Sequence, residues 1–210
     1  MSMNRTYTLN TEAAKGADSG QYISETGKYI GVFTRAEEVE SRQRTEGVEF
    51  AFKSDSGETA DFLTLWTFNS DGKELPSFKT LNAIMTCVKV RSISPKQEPV
   101  EKYDSASGQR KKVTATVYPE IMNKRIGILL QKVWRADKPD KYKFEIAGVF
   151  DAETELTASE ILSKKTEPAK LAQMVSSLKD KRESPKGDHI QRAASQTANE
   201  AWDEELDILF

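Results

Sequence analysis

The chain has 210 residues, 37% hydrophobic and 30% charged, enough for one domain with appendages or at most two small ones. No apolar run approaches the ~18 residues of a transmembrane helix, and the first 20 residues lack the apolar core of a secretory signal. A single cysteine, Cys87, excludes an internal disulfide and fits a reducing cytoplasm, and the net charge of −2 gives no bulk attraction to nucleic acid.

The charge is unevenly spread. From Glu183 onward seven acids face only Lys186 and Arg192, so the tail carries −5, while residues 1–182 carry +3. An acidic tail on a mildly basic body suits a protein that handles nucleic acid and also recruits partners.

Residues 1–21 are small, polar and aperiodic, as in a flexible arm. GKYIGVFTRAEEVES then reads as a long first strand. After the polar RQRTEG, VEFAFKS alternates, with Val48, Phe50 and Phe52 on the core side. Asp55-Ser56-Gly57 turns the chain into a third strand, DFLTLWTFN, closed by Asp71-Gly72. Behind Pro76, the spacing of Phe78, Leu81, Ile84, Met85 and Val88 predicts a helix over 77–90 that buries Cys87.

Residues 91–120 read as a long polar insertion with one short strand at 113–118. RIGILLQKVWRA and KYKFEIAGVFD flank DKPD as a second strand pair, and TASEILSKK with EPAKLAQMVSSLKDK form a C-terminal helical region presenting Leu171, Met174, Val175 and Leu178. Residues 183–201 read as a disordered linker and 202–210 as a separate tip. A mainly β fold with helices results. Three strands, a helix and two strands is the order of a five-stranded OB-like barrel, and a split sheet with a helix on one side fits as well.

Enzyme chemistry finds little footing. There is no phosphate-binding loop, and the only histidine, His189, lies in the linker, which leaves no Ser-His or Cys-His pair. No cofactor or structural metal is expected. A carboxylate nuclease built from Asp61, Glu145, Asp151 and Glu153 is the least favoured reading.

Single-stranded nucleic acid is bound by aromatic platforms beside positive charge that tracks the backbone. Leu63 and Leu65 claim the core face of the third strand, which turns Trp66 and Phe68 outward. Trp134 lies beside Lys132 and Arg135, and Tyr142 beside Lys143. Basic pairs stand in loops and at strand starts: Arg42 and Arg44, Lys111 and Lys112, Lys124 and Arg125. These thirteen residues are the candidate nucleic-acid contacts. For any one strand aromatic, core packing is the more common role.

The tip, Trp202, Asp203, Glu204, Glu205, Leu206, Asp207, Ile208, Leu209 and Phe210, mixes four acids with large apolar groups at a free carboxylate. It resembles the docking tip of bacterial single-stranded DNA-binding proteins, without the proline next to the terminal Phe found there. A partner pocket for the last side chains, with a basic rim, would read it. The stretches ETGKYIGVFTRAEEVES, GVEFAFKSD, LTLWTFNSDGK, FKTLNAIMTC, YPEIMNKRIGILLQK and TASEIL resemble a family of tailed-bacteriophage single-stranded DNA-binding proteins over residues 22–182. That resemblance implies an OB-type domain that binds single strands in phage replication or recombination, in the cytoplasm of the bacterial host. Expected partners are single-stranded DNA and, through the tip, host or phage replication and recombination enzymes. Homodimerisation through a sheet face or edge is compatible with the composition. The alternative is a recombination mediator acting mainly through the tip.

Overall fold

The computed structural model describes residues 8, 9, 11, 22–104 and 107–184. In chain order the elements are β1 (Gly27–Glu40), β2 (Glu46–Ser54), β3 (Thr59–Phe68), α1 (Ser77–Cys87), β4 (Lys96–Asp104), β5 (Gln109–Val117), β6 (Arg125–Trp134), β7 (Tyr142–Phe150), α2 (Ala158–Leu162), α3 (Leu171–Ser177) and β8 (Lys181–Arg182). The protein is thus mainly antiparallel β with a few helices. Among the described residues there are eight strands, not the expected five.

β1 organises the sheet because it is long enough to serve several partners. Its second half pairs with β2, which pairs with β3, and its first half, Gly27–Val32, pairs with β6. β6 continues to β7. The sheet stays open: among the described residues no ladder joins β3 to β7. At Gly31 both ladders overlap, opposite Ser54 and Ile126. A Cβ there would stand 2.1 Å from the Lys53 carbonyl oxygen, so only glycine lets the strands cross this closely.

The main core lies inside this curved sheet, with α1 packed against it. Phe33, Phe50, Phe52, Leu63, Ile84, Ile126, Ile128 and Leu130 are among its fully buried members. Phe33 and Phe50 meet with ring centroids 4.5 Å apart. The alternation of β2 and β3 holds, with Val48, Phe50, Phe52, Leu63 and Leu65 all buried. Cys87 is buried too, and burial followed by the Asp151 charge pushes its thiol pKa up to about 12, so it stays protonated at neutral pH.

Three expectations need correction. Residues 91–120 hold a nine-rung hairpin, β4–β5, instead of one short strand. Its polar residues are tolerated because most of them stay exposed while the two strands pair their backbones with each other. Helix α1 ends at Cys87, and Lys89 takes a left-handed φ of 58° before Val90. The C-terminal helical region divides into α2 and α3, after which the chain returns as β8, parallel to β6 at Val133 and Trp134. Leu171 of α3 covers a second small core formed by Leu129 and Phe150, which leaves Val175 exposed. The order extends past residue 182, since Glu183 donates its N–H to the Trp134 carbonyl oxygen. Residues 185–201 of the linker, the tip 202–210 and most of the arm 1–21 lie outside the described residues.

Glu160 is fully buried, yet it is saturated with donors. It accepts from the Thr157 hydroxyl (2.7 Å) and from the N–H groups of Thr157 (2.9 Å), Ala169 (2.8 Å) and Lys170 (3.0 Å), pinning the α2–α3 connection. These bonds, the Thr157 hydroxyl first, bring its pKa down to about 2 from the ordinary 4.5. A depressed carboxylate pKa adds stability above the unfolded value and loses it as the proton returns. We therefore expect thermal stability to fall between about pH 5 and pH 2, and Glu160→Gln to melt lower at pH 7 and to show a flatter decline in that window, both read by calorimetry across pH.

Candidate nucleic-acid interface

At the end of the sheet where β3 and β7 begin, the open edge leaves a cleft of about 380 Å³. Tyr22, Phe62, Tyr103, Tyr142 and Phe144 line it, together with Lys143. The residues come from four places in the chain, so no single stretch of sequence contains them all.

β6 and β7 supply one wall. Ile126, Ile128 and Leu130 face the core, and the same face runs on to Lys132 and Trp134 at the strand's end. Across the ladder Lys132 pairs with Phe144 and Trp134 with Tyr142. Tyr142 sits edge-on between its neighbours, 5.4 Å from Trp134 and 5.6 Å from Phe144, and keeps 41% of its surface exposed. Lys132 is only 8% exposed; its ammonium lies 4.9 Å from the Tyr142 ring centroid, 5.7 Å from that of Trp134 and 3.6 Å from a Glu25 carboxylate oxygen. The Trp134 indole N–H donates to Asp180 at 3.2 Å, and Asp180 also accepts from Thr26. These hydrogen bonds lower the Asp180 pKa, with the Thr26 hydroxyl contributing most. The return of the chain through β8 thereby fixes the Trp134 ring.

β3 supplies the opposite wall through a bulge. Asp61 and Phe62 together oppose the single residue Ala51, and Phe62 adopts φ of 62°. A left-handed conformation is unusual for a bulky side chain and costs about 1–3 kcal/mol. It turns the Phe62 ring out, 51% exposed, where regular pleating would leave it among the flank of β3. Tyr22, 57% exposed, lies beside β3 through a bridge at Thr59, and Ile23 donates its N–H to the Thr59 carbonyl oxygen. Tyr103, at the outer end of the β4–β5 ribbon, closes the third side.

The candidate contacts divide into separate groups. Tyr142 and Lys143 line the cleft, and Trp134 and Lys132 stand against the Tyr142 ring. Lys143 pairs with Glu145 at 3.0 Å and Glu183 at 2.8 Å; burial opposes its charge, but these carboxylates raise its pKa overall. Arg135 stands nearby in the β6–β7 turn, where Asp137 holds it by two bonds of 2.9 and 3.0 Å and raises its pKa. Lys111 and Lys112 are both exposed, on opposite faces of the ribbon, and Lys111 is bonded to Asp104.

Trp66 and Phe68 continue the outer face of β3 away from Phe62, roughly 13 and 20 Å along the strand. Both are half-buried: Trp66 lies over Gly47, and Phe68 packs on Phe78 of α1 with centroids 5.1 Å apart. Arg42 and Arg44 occupy the β1–β2 turn at that far end, exposed. Lys124 and Arg125 stand at the start of β6, roughly 30 Å from Trp134, and Arg125 pairs with Asp55. One cleft therefore does not collect all the basic pairs.

Sequence reading missed Tyr22, Phe62, Tyr103 and Phe144. Nothing in the sequence marks the bulge that turns Phe62 out. Among the described residues no three of His, Cys, Asp and Glu gather as metal ligands. Asp61 pairs with Arg110, Glu145 with Lys143, and Asp151 accepts from the N–H groups of Glu153 and Thr154. No described helix is long and apolar enough to cross a membrane. Compared with known protein families and with curated proteins, the chain matches none.

Proposed function

We propose that this protein binds single-stranded DNA without sequence preference, with bases stacking in the Tyr22–Phe62–Tyr142 cleft and the backbone running on along β3. The observation that carries the reading is the gathering of three strongly exposed aromatic rings, one held out at a left-handed φ, around a single cleft that Lys143 lines, with Lys132 set against the Tyr142 ring. Exposed rings in a cleft are a liability unless a ligand covers them, and every base offers a π-face to stack on them. A path from the cleft to Arg42 and Arg44 follows the length of β3, ~33 Å, which suits about five extended nucleotides.

The connectivity supports an OB-like reading of the same region. β1, β2, β3, β6 and β7 keep the barrel's strand order, with α1 between the third and fourth of them and β4–β5 as an insertion. In this reading the protein is a phage protein of the host cytoplasm that protects single strands during replication or recombination, and the 202–210 tip recruits partner enzymes. A mediator working through the tip is the competing reading.

Fluorescence anisotropy of a labelled 25-nucleotide strand tests both. The truncated comparison protein stops after Ser184, which retains the Glu183–Lys143 pair. We expect the full chain to bind the strand in preference to duplex, with affinity falling steeply with salt, and the truncated chain to bind at least as well. Failure of both to bind sinks the proposal; loss on truncation alone favours the mediator.

A further inference from the structure

The β4–β5 ribbon is lightly attached to the body. Its root is held by one rung, Val117 opposite Glu37, by the N–H of Tyr118 donating to Ala36, and by the small cluster of Val100, Ala115 and Val117. Its outer half meets the sheet through two ion pairs: Lys102 with Glu37 at 2.8 Å, and Arg110 with Asp61 at 2.7 Å. A segment with so few buried apolar contacts opens at low cost.

The Arg110–Asp61 pair stands at a junction. Asp61 lines the aromatic cleft and also a larger groove of about 780 Å³ between the ribbon and the sheet. Closed, that groove also carries Glu98 and Glu101, a poor setting for phosphate. Arg110 is the cross-strand partner of Tyr103, so the guanidinium and the ring that closes the cleft move together. The Asp61 side chain is 7% exposed and that of Arg110 36%, and they share a single Nη2–Oδ2 bond, which leaves most of the guanidinium fork free for a second anion.

We propose that the ribbon is a strap latched by Asp61–Arg110, and that a phosphodiester arriving at the cleft takes Arg110 from Asp61, so that strand binding lifts the ribbon and opens the groove beneath it. The inference rests on the single-strand reading and adds its regulation. The exchange is nearly balanced: Arg110 trades one anion for another, and Asp61, which would be costly to leave buried and unpaired, regains water as the ribbon rises.

The test is stopped-flow anisotropy with a labelled oligo-dT strand on the full chain, comparing wild type with Asp61→Asn, Arg110→Gln and, as a charge-matched control beside the cleft, Glu58→Gln. A thermal melt accompanies each. A latch predicts that Asp61→Asn associates at least about fivefold faster than wild type while Glu58→Gln does not. It also predicts that Arg110→Gln associates no more slowly than wild type but dissociates about fivefold faster, a readout that stands even if Asp61→Asn fails to fold. Equal weakening of binding in Asp61→Asn and Arg110→Gln, or equal acceleration in Asp61→Asn and Glu58→Gln, overturns the strap while leaving the single-strand reading intact. No binding by any form overturns both.

Discussion

Tyr142→Ala is expected to weaken binding of a single strand by about 1–3 kcal/mol, roughly 5- to 150-fold, with little loss of stability. The ring is the most favourably placed platform in the cleft. Trp134 and Phe144 hold it edge-on from two sides, and the Lys132 ammonium sits against it, so its orientation is fixed before any base arrives. With 41% of its surface exposed it contributes little to the core, which separates the effect on binding from the effect on folding. Isothermal titration of the variant with an oligonucleotide, beside a thermal melt, reads both quantities. Unchanged affinity would remove the cleft from the binding path. A collapsed melt would make Tyr142 a packing residue.

Phe50→Ala is expected to have the largest effect on stability, about 3–5 kcal/mol, because a fully buried aromatic leaves a cavity that a sheet interior cannot collapse to fill. Its ring packs against Phe33 at 4.5 Å, and both strands beside it, β1 and β3, are fixed by their own ladders. In a chain of this size the melting temperature should drop by roughly 6–20 °C, measurable by calorimetry or far-ultraviolet circular dichroism. A shift under about 2 °C would mean that the core is not packed as described.

Much of this fold is legible in the residues. The alternation in VEFAFKS and the Leu63–Leu65 pair place the inner faces of β2 and β3, and the apolar spacing after Pro76 places α1. The two strands around DKPD are legible for the same reason. Each signal is local: side-chain direction in a strand or helix follows from backbone period, and burial follows from side-chain chemistry. Where a surface is buried from outside its own element, the signal disappears. Leu129 and Phe150 interrupt the alternation of β6 and β7 because Leu171 of α3 covers them from the far face. The β4–β5 ribbon escapes notice because its strands carry charged and small residues on both faces and bury little.

The candidate site divides the same way. Composition, the interleaving of aromatic and basic residues, and the acidic apolar tip together determine the class of ligand to test, and the sequence alone supplies all three. Which rings stand free is decided by tertiary structure. Phe68 is half-buried by α1 and Trp66 by Gly47, a cross-strand neighbour set by register. Phe62 is turned out by one extra residue in a ladder, and Tyr22 and Tyr103 reach the cleft from segments more than 30 positions away from β7 and from each other. Exposure is a property of what the rest of the chain leaves uncovered. That depends on contacts between distant residues, and no local pattern encodes them.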